Sequence, residues 1–229
     1  MDAASLAAMI DHTLLKAEAT EAQVRKLCAE AIEHGFYSVC VNPRWLPLAV
    51  QCLAHTTVLP ITVVGFPLGA SLAGAKAREA QEAVQAGAKE IDMVLDVGGA
   101  KSGLWAEVQR DIREVVVACG DTPVKVILET CYLTDDDIRE ACRAAVAAGA
   151  RFVKTSTGFG SAGATPAHIQ LMRSCVGNDL GVKASGGIRD TATALALVAA
   201  GASRLGCSAS IAIVQGAAGS GSGGAHGLY

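Results

Sequence analysis

Aromatic residues are scarce in this chain: phenylalanine, tryptophan and tyrosine together make up 4% of its 229 residues. No basic run and no aromatic stacking motif occurs, and the formal charge is −3, so nucleic acid is not an expected partner. No apolar stretch is long enough to span a bilayer, so no membrane partner is expected either. The opening Met1-Asp2-Ala3-Ala4-Ser5 lacks the basic region of a signal peptide, and a cytoplasmic location is the expectation. None of the cysteines (Cys28, Cys40, Cys52, Cys119, Cys131, Cys142, Cys175, Cys207) forms a C-x-x-C pair. Their even number would permit a disulfide framework, but a chain this long and apolar does not need one, and reduced, mostly buried thiols are expected. The histidines (His12, His34, His55, His168, His226) show no ligand spacing, so no metal or other cofactor is expected.

What is abundant is small and apolar. Hydrophobic residues make up 51% of the chain and there are 25 glycines, which suits one larger domain of closely packed helices and strands. A rhythm recurs of helix, glycine stop and short apolar strand. Thr20-Glu21-Ala22-Gln23 reads as a capping box for a helix that runs to Gly35. Strands are expected at 36–42 and 61–66, each closed by a proline (Pro43, Pro67), with a helix at 44–54 between them. A helix from Ser71 to Gly87 leads to a strand at 90–96, and a helix at 104–119 to a strand at 123–130.

Thr134 caps the next helix, whose first turn carries Asp135, Asp136 and Asp137, as the helix dipole prefers. Thr165-Pro166 and Asp190 start two more helices, and the last pieces are a strand at 204–207 and a helix at 208–215. Ala-Gly-Ala recurs at 86–88, 148–150 and 200–202, each time just before a strand. With 9–14 as the first strand, the count reaches eight. Strands alternating with helices imply a parallel sheet, and this number at this length predicts a single-domain α/β (β/α)8 TIM barrel over residues 1–215. An open doubly wound sheet is the alternative, weakened because no G-x-G-x-x-G follows the first strand. Residues 216–229, mostly glycine, alanine and serine and ending in Tyr229, read as a flexible tail.

The polar residues placed awkwardly inside strands carry the chemistry. Arg151-Phe152-Val153-Lys154-Thr155-Ser156-Thr157-Gly158 opens as a buried strand and then presents a lysine. Gly181-Val182-Lys183-Ala184-Ser185 repeats the oddity, and Asp92 lies inside a third strand. A lone strand lysine is best explained by its head reaching solvent. Two lysines and a carboxylate converging at the C-terminal mouth of a barrel, where barrel active sites lie, point instead to catalysis. Asp11, Thr13, Cys40 and Asn42 come to the same mouth, as do Glu129 and Thr130.

A lysine is nucleophilic only when neutral, and burial beside a second ammonium favours that form. A neutral amine can condense with an aldehyde, and the resulting imine stabilises a carbanion on the adjacent carbon. Asp92 is the carboxylate available for proton transfer. Spacing leaves the choice of nucleophile open; Lys154 is favoured because Thr155, Ser156 and Thr157 follow it and could order a water. Ser185-Gly186-Gly187-Ile188 and Gly206-Cys207-Ser208 follow the seventh and eighth strands, where many barrels bind phosphate, and Arg189 adds a countercharge.

Several motifs together resemble the deoxyribose-phosphate aldolases of the short bacterial type. They are Ile10-Asp11-His12-Thr13-Leu14, Val39-Cys40-Val41-Asn42-Pro43-Arg44, Glu90-Ile91-Asp92-Met93-Val94, Ile127-Leu128-Glu129-Thr130, Phe152 to Phe159 and Val182 to Arg189, almost end to end. The resemblance implies reversible cleavage of 2-deoxy-D-ribose 5-phosphate to D-glyceraldehyde 3-phosphate and acetaldehyde, without a metal, in a homodimer or homotetramer. It implies Lys154 as the Schiff-base lysine, Asp92 and Lys183 as the proton-transfer pair, and Gly158, Gly186, Gly187, Gly206 and Ser208 as the phosphate site. It also implies a cysteine near the aldehyde pocket, Cys40, and a C-terminal tyrosine that assists proton transfer, Tyr229. The chain departs from the pattern at Ala209, where relatives often carry a hydroxyl, and at Phe159, where some carry lysine. Other Schiff-base barrel lyases, or a phosphosugar-binding barrel without turnover, are the competing readings; the intact Asp92, Lys154 and Lys183 set argues against the latter.

Overall fold

A computed structural model describes residues 1–220. Eight strands, β1 (Ile10–Leu14), β2 (Ser38–Val41), β3 (Leu59–Val64), β4 (Ile91–Val94), β5 (Val124–Ile127), β6 (Phe152–Lys154), β7 (Gly181–Ser185) and β8 (Arg204–Cys207), pair in parallel in that order. β8 pairs back onto β1, with Asp11 opposite Gly206, and the barrel closes.

The helices outside it are α1 (Ala3–Ala7), α2 (Glu21–His34), α3 (Leu46–Cys52), α4 (Ala73–Gln85), α5 (Val97–Lys101), α6 (Trp105–Cys119), α7 (Asp135–Ala148), α8 (Pro166–Val176), α9 (Thr191–Ala199) and α10 (Ser210–Ser220). Their boundaries follow local chemistry. Thr20 and Thr134 each accept a backbone N–H three residues on, and Gln23 and Asp137 return the bond as capping boxes. The repeated Ala-Gly-Ala stops put Gly87, Gly149 and Gly201 at φ of 104°, 91° and 114°, a region that favours glycine. On α6, Val108, Ile112, Val115 and Cys119 recur at helical spacing and are all buried.

Three expectations are corrected. The short helices α1 and α5 were not legible as helices; each has an aspartate, Asp2 or Asp96, accepting the N–H of Ser5 or Gly99 at its start. The strand expected over 123–130 ends at Ile127, because Glu129 takes a left-handed conformation with φ of 56°. The boundary placed at residue 216 is crossed by α10, which continues to Ser220. Gly216 reads as the start of a tail by composition, yet its lack of a side chain is what lets α10 approach α9. A Cβ there would overlap Thr191 Oγ1, and the Thr191 hydroxyl donates to the Ile213 carbonyl at 2.6 Å.

The main apolar core lies between barrel and helices and is formed by residues such as Leu6, Val24, Ile91, Ile112, Ile138, Val153 and Leu205. A second, small cluster of Leu15, Cys40, Ile61 and Val63 lies on β2, β3 and the chain following β1. Strand register carries this face round the barrel: Val63 is level with Asp92, Asp92 with Lys125, and Lys154 with Lys183. The barrel lumen is therefore apolar on its β2–β3 side and ionic on the other. One further buried lysine lies outside it. Lys76 on α4 donates to Asp111 on α6 at 2.8 Å and to the Val94 carbonyl at 3.1 Å, an interhelical tie.

Candidate active site

β6 and β7 run side by side with Lys154 and Lys183 as register partners, so period-2 alternation sends both side chains to the same face. Both are buried, and both reach the same carboxylate oxygen. Lys154 Nζ donates to Asp92 Oδ2 at 2.8 Å and Lys183 Nζ donates to the same oxygen at 2.7 Å. Lys183 also pairs with Asp11 Oδ2. Asp92 Oδ1 accepts from Lys125 Nζ at 2.7 Å.

These contacts set the protonation states. Burial pushes the Lys154 amine below its ordinary value; Asp92 pulls the other way, and the Lys183 charge adds to the lowering. Burial would also lower Lys183, but Asp11 and Asp92 outweigh it and raise its pKa above the ordinary lysine value. Burial would raise Asp92, but Lys125, Lys154 and Lys183 hold it well below the carboxylate range. Asp11 is treated alike: burial opposes ionisation, and Lys183, Lys125 and Arg204 overcome it and bring the pKa to about 2. Cys40 faces the same lumen as a thiol, its pKa pushed up to about 11 chiefly by burial. The arrangement biases the Lys154 amine towards its neutral form and holds Lys183 and Asp92 in their charged forms.

The hydroxyls after Lys154 differ in their partners. Thr155 donates to the Ser185 carbonyl and accepts the Ser185 N–H, both at 3.0 Å, so it clips β6 to β7. The Thr157 hydroxyl donates to Glu129 Oε2, and the Thr157 N–H lies 3.2 Å from Glu129 Oε1. Ser156 Oγ is buried and has no hydrogen-bond partner among the described residues. Thr13 is on the rim, its hydroxyl donating to the Asp11 carbonyl at 2.8 Å.

The loops after β6, β7 and β8 meet around a cavity of about 240 Å³. Gly158, Gly186, Gly187, Arg189, Gly206 and Ser208 line it, together with Thr13, so the structure brings together every residue expected of the phosphate loops. Gly186 and Gly187 have φ of 84° and 77°, which leaves their backbone free to curl towards a ligand. Gly206 does a second job: a Cβ there would come within 3.0 Å of Lys183 Cε. Phe159 is half exposed and packs edge-on against Phe66, with ring centroids 5.3 Å apart, so this side of the mouth is apolar. Tyr229 lies outside the described residues.

Sequence reasoning missed the floor of the site. Not all of its awkward polar residues lie at the strand ends. Lys125 pairs with Glu90 Oε2 at 2.6 Å, and Arg204 Nη1 contacts both Glu90 Oε2 and Asp11 Oδ1 at 3.0 Å. Part of the signal was present: Glu90 and Asp92 are two apart, so alternation puts both on one face of their strand, while Lys125 joins them only through the pairing of β4 with β5.

Comparison with known proteins agrees with this geometry. The family model described as DeoC/LacD family aldolase matches residues 5–223. The deoxyribose-phosphate aldolase of Mannheimia succiniciproducens is 57% identical over 92% of this chain and 94% of its own. That of Coprothermobacter proteolyticus is 56% identical over 90% and 94%. Among solved structures, the tetrameric deoxyribose phosphate aldolase from Aeropyrum pernix superposes with a TM-score of 0.87 at 34% identity, covering 93% of this chain and 91% of that one. An aldolase designated QR15 gives 0.88 at 38% identity, with 92% and 94% covered. The chain belongs to the DeoC/LacD family of aldolases.

Proposed function

We propose that this chain reversibly cleaves 2-deoxy-D-ribose 5-phosphate to D-glyceraldehyde 3-phosphate and acetaldehyde through a Schiff base on Lys154. The observation that carries the reading is the shared oxygen of Asp92. Two lysines reach Oδ2, and only Lys183 has a second carboxylate, so Lys154 is the one that gives up its proton. The Lys154 amine attacks C1 of the open-chain sugar, and the carbinolamine loses water to give an iminium ion. A base removes the proton of the C3 hydroxyl, the C2–C3 bond breaks, and its electron pair enters the iminium as an enamine. D-glyceraldehyde 3-phosphate leaves. Protonation at C2 and addition of water then release acetaldehyde and restore the amine. Asp92 with Lys183 is the proton-transfer pair, because both lie within hydrogen-bond reach of Lys154 or its partner oxygen.

The cavity lined by Gly158, Gly186, Gly187, Gly206, Ser208 and Arg189 takes the phosphate, through backbone N–H groups and one guanidinium. The tetrameric relative from Aeropyrum pernix supports an oligomer of this chain. No described helix is long and apolar enough to cross a membrane, which is compatible with action in the cytoplasm.

Borohydride reduction in the presence of acetaldehyde tests the assignment. A two-carbon adduct on Lys154, located by mass spectrometry, is the expected result. A label on Lys183, or none, overturns it.

A further inference from the structure

Below Lys154 the ion pairs close into a ring. From Asp92, contacts run to Lys183, to Asp11, to Arg204, to Glu90, to Lys125 and back to Asp92. Carboxylates and cations alternate at every step. All six members are buried, and each cation touches two carboxylates of the ring. The free positions of the carboxylates are also taken: the Ser38 hydroxyl donates to Asp11 Oδ1 at 2.7 Å, and the Tyr37 hydroxyl to Glu90 Oε1 at 3.4 Å. Three negative and three positive charges leave the ring neutral as it stands. Lys154 is the seventh ionisable group, attached at one point, on an oxygen already held by Lys183.

We propose that Lys125, Glu90 and Arg204 are positioning residues whose ring with Asp11, Asp92 and Lys183 is charge-balanced without Lys154, so that the Schiff-base lysine is, among the described residues, the one buried cation with no counter-charge left. This deepens the proposed function and rests on it. The physical reason is the cost of a net charge in a water-poor lumen, which is large unless it is paired. With the ring saturated, a proton on Lys154 would add an unmatched positive charge. Without that proton, the amine still donates one hydrogen to Asp92 Oδ2 and keeps its lone pair for the aldehyde. Lys183 alone would not fix which lysine is neutral, since both share Oδ2. Arg204 draws Asp11 into the ring, Asp11 pairs with Lys183, and the asymmetry follows.

The groups that act on Lys154 directly are Asp92 on β4, Lys183 on β7 and Cys40 on β2; Lys125 on β5 is tied to Asp92, Asp11 on β1 to Lys183, and Arg204 on β8 to Asp11. Cys40 is an uncharged thiol at neutral pH and does not enter the count.

The charge argument makes predictions of opposite sign. Rates of acetaldehyde–borohydride trapping at Lys154 are measured against pH in the full-length protein, with circular dichroism confirming the fold. Lys125→Met leaves the ring one charge negative, so the acid limb of the trapping profile moves to higher pH. Glu90→Gln, nearly identical in shape, leaves it one charge positive, so the limb moves to lower pH. The double variant returns towards the parent. A purely structural role would lower the yield without opposed shifts, and shifts of the same sign, or none, overturn the proposal. If either single variant does not fold, a neutron structure of the unaltered protein decides. A neutral amine on Lys154 with full ammonium groups on Lys125 and Lys183 supports the ring; any other distribution refutes it. If the parent shows no label at Lys154, the Schiff-base reading itself fails. A label at Lys154 with no shift leaves that reading standing and removes only the ring.

Discussion

Lys154 and Lys183 stand opposite one another on adjacent strands, and their amines meet on a single oxygen of Asp92. Lys183, held also by Asp11, keeps its proton and acts on its neighbour as a fixed positive charge. Lys183→Met should therefore do two things at once. Turnover should fall by about 10²–10⁴, the usual contribution of a positioned proton-transfer group. The acid limb of imine trapping at Lys154 should move to higher pH, because a like charge that lowered its pKa has gone. Steady-state kinetics and the trapping profile measure the two effects separately. A loss of turnover with an unmoved limb would confine Lys183 to proton transfer.

A site built this way costs stability. The Lys154 pKa lies below the lysine value of about 10.4 expected for an unfolded chain. Between the two values the unfolded chain binds more protons than the folded one, so this group makes stability rise with pH and weakens the fold at neutral pH. Lys154→Met removes that burden, while Asp92 keeps Lys125 and Lys183 as partners. The inactive variant should melt higher than the parent at pH 7, by about 2–4 °C if the gain is about 1 kcal/mol. A melting temperature at or below that of the parent, by calorimetry, would show that the neutral amine carries no such cost.

The carboxylates also make stability rise with pH, but in the acid range, and at neutral pH they strengthen the fold where Lys154 weakens it. Asp11 is held at about 2 in the folded protein, burial being overcome by Lys183, Lys125 and Arg204, and Asp92 is also well below its ordinary value. Their contribution is fully present above the unfolded carboxylate value of about 3.9 and is lost as pH falls through the folded values. Asp11→Asn should flatten the fall in stability below pH ~4 while lowering stability at pH 7. Urea titrations at a series of pH values test this. A slope identical to the parent's would mean that Asp11 is not titrating with unfolding.

Much of this was legible in the chain. Alternating strands and helices, the Ala-Gly-Ala stops and the capping boxes predict the barrel, because each is a local signal that tertiary packing did not have to override. The lysines at 154 and 183 stood out because each interrupts an apolar strand next to hydroxyls or glycines. Burial alone would not have sorted them, since Lys76 and Lys125 are also buried and Lys76 only ties α4 to α6. Lys125 does not stand out in the sequence, because it sits inside a strand with no hydroxyl or glycine beside it. Its meaning depends on Glu90 and Asp92, which reach it only once β4 and β5 pair. That Thr155 clips β6 to β7 is not visible in the sequence, because its partner, Ser185, lies on the next strand. Glu129 reads as part of a strand in the sequence, because nothing local reveals its left-handed turn towards Thr157.

Gly206 links the phosphate loops to the lysines. It lines the anion cavity, and it also leaves room for Lys183, whose Cε would lie 3.0 Å from an added Cβ. A contact that tight makes one partner yield, and the lysine stem is the movable one, since Ser185 Cβ, at 3.1 Å, closes the other side. Gly206→Ala should thus push the Lys183 amine off Asp92 Oδ2. The expected outcome is a fall in kcat larger than the rise in KM for the phosphorylated sugar. Non-phosphorylated 2-deoxyribose should lose kcat to a similar degree, because the damage lies at the lysines and not at the anion. If instead KM for the phosphorylated sugar rises with kcat unchanged, Gly206 serves the phosphate alone and Lys183 has room to spare.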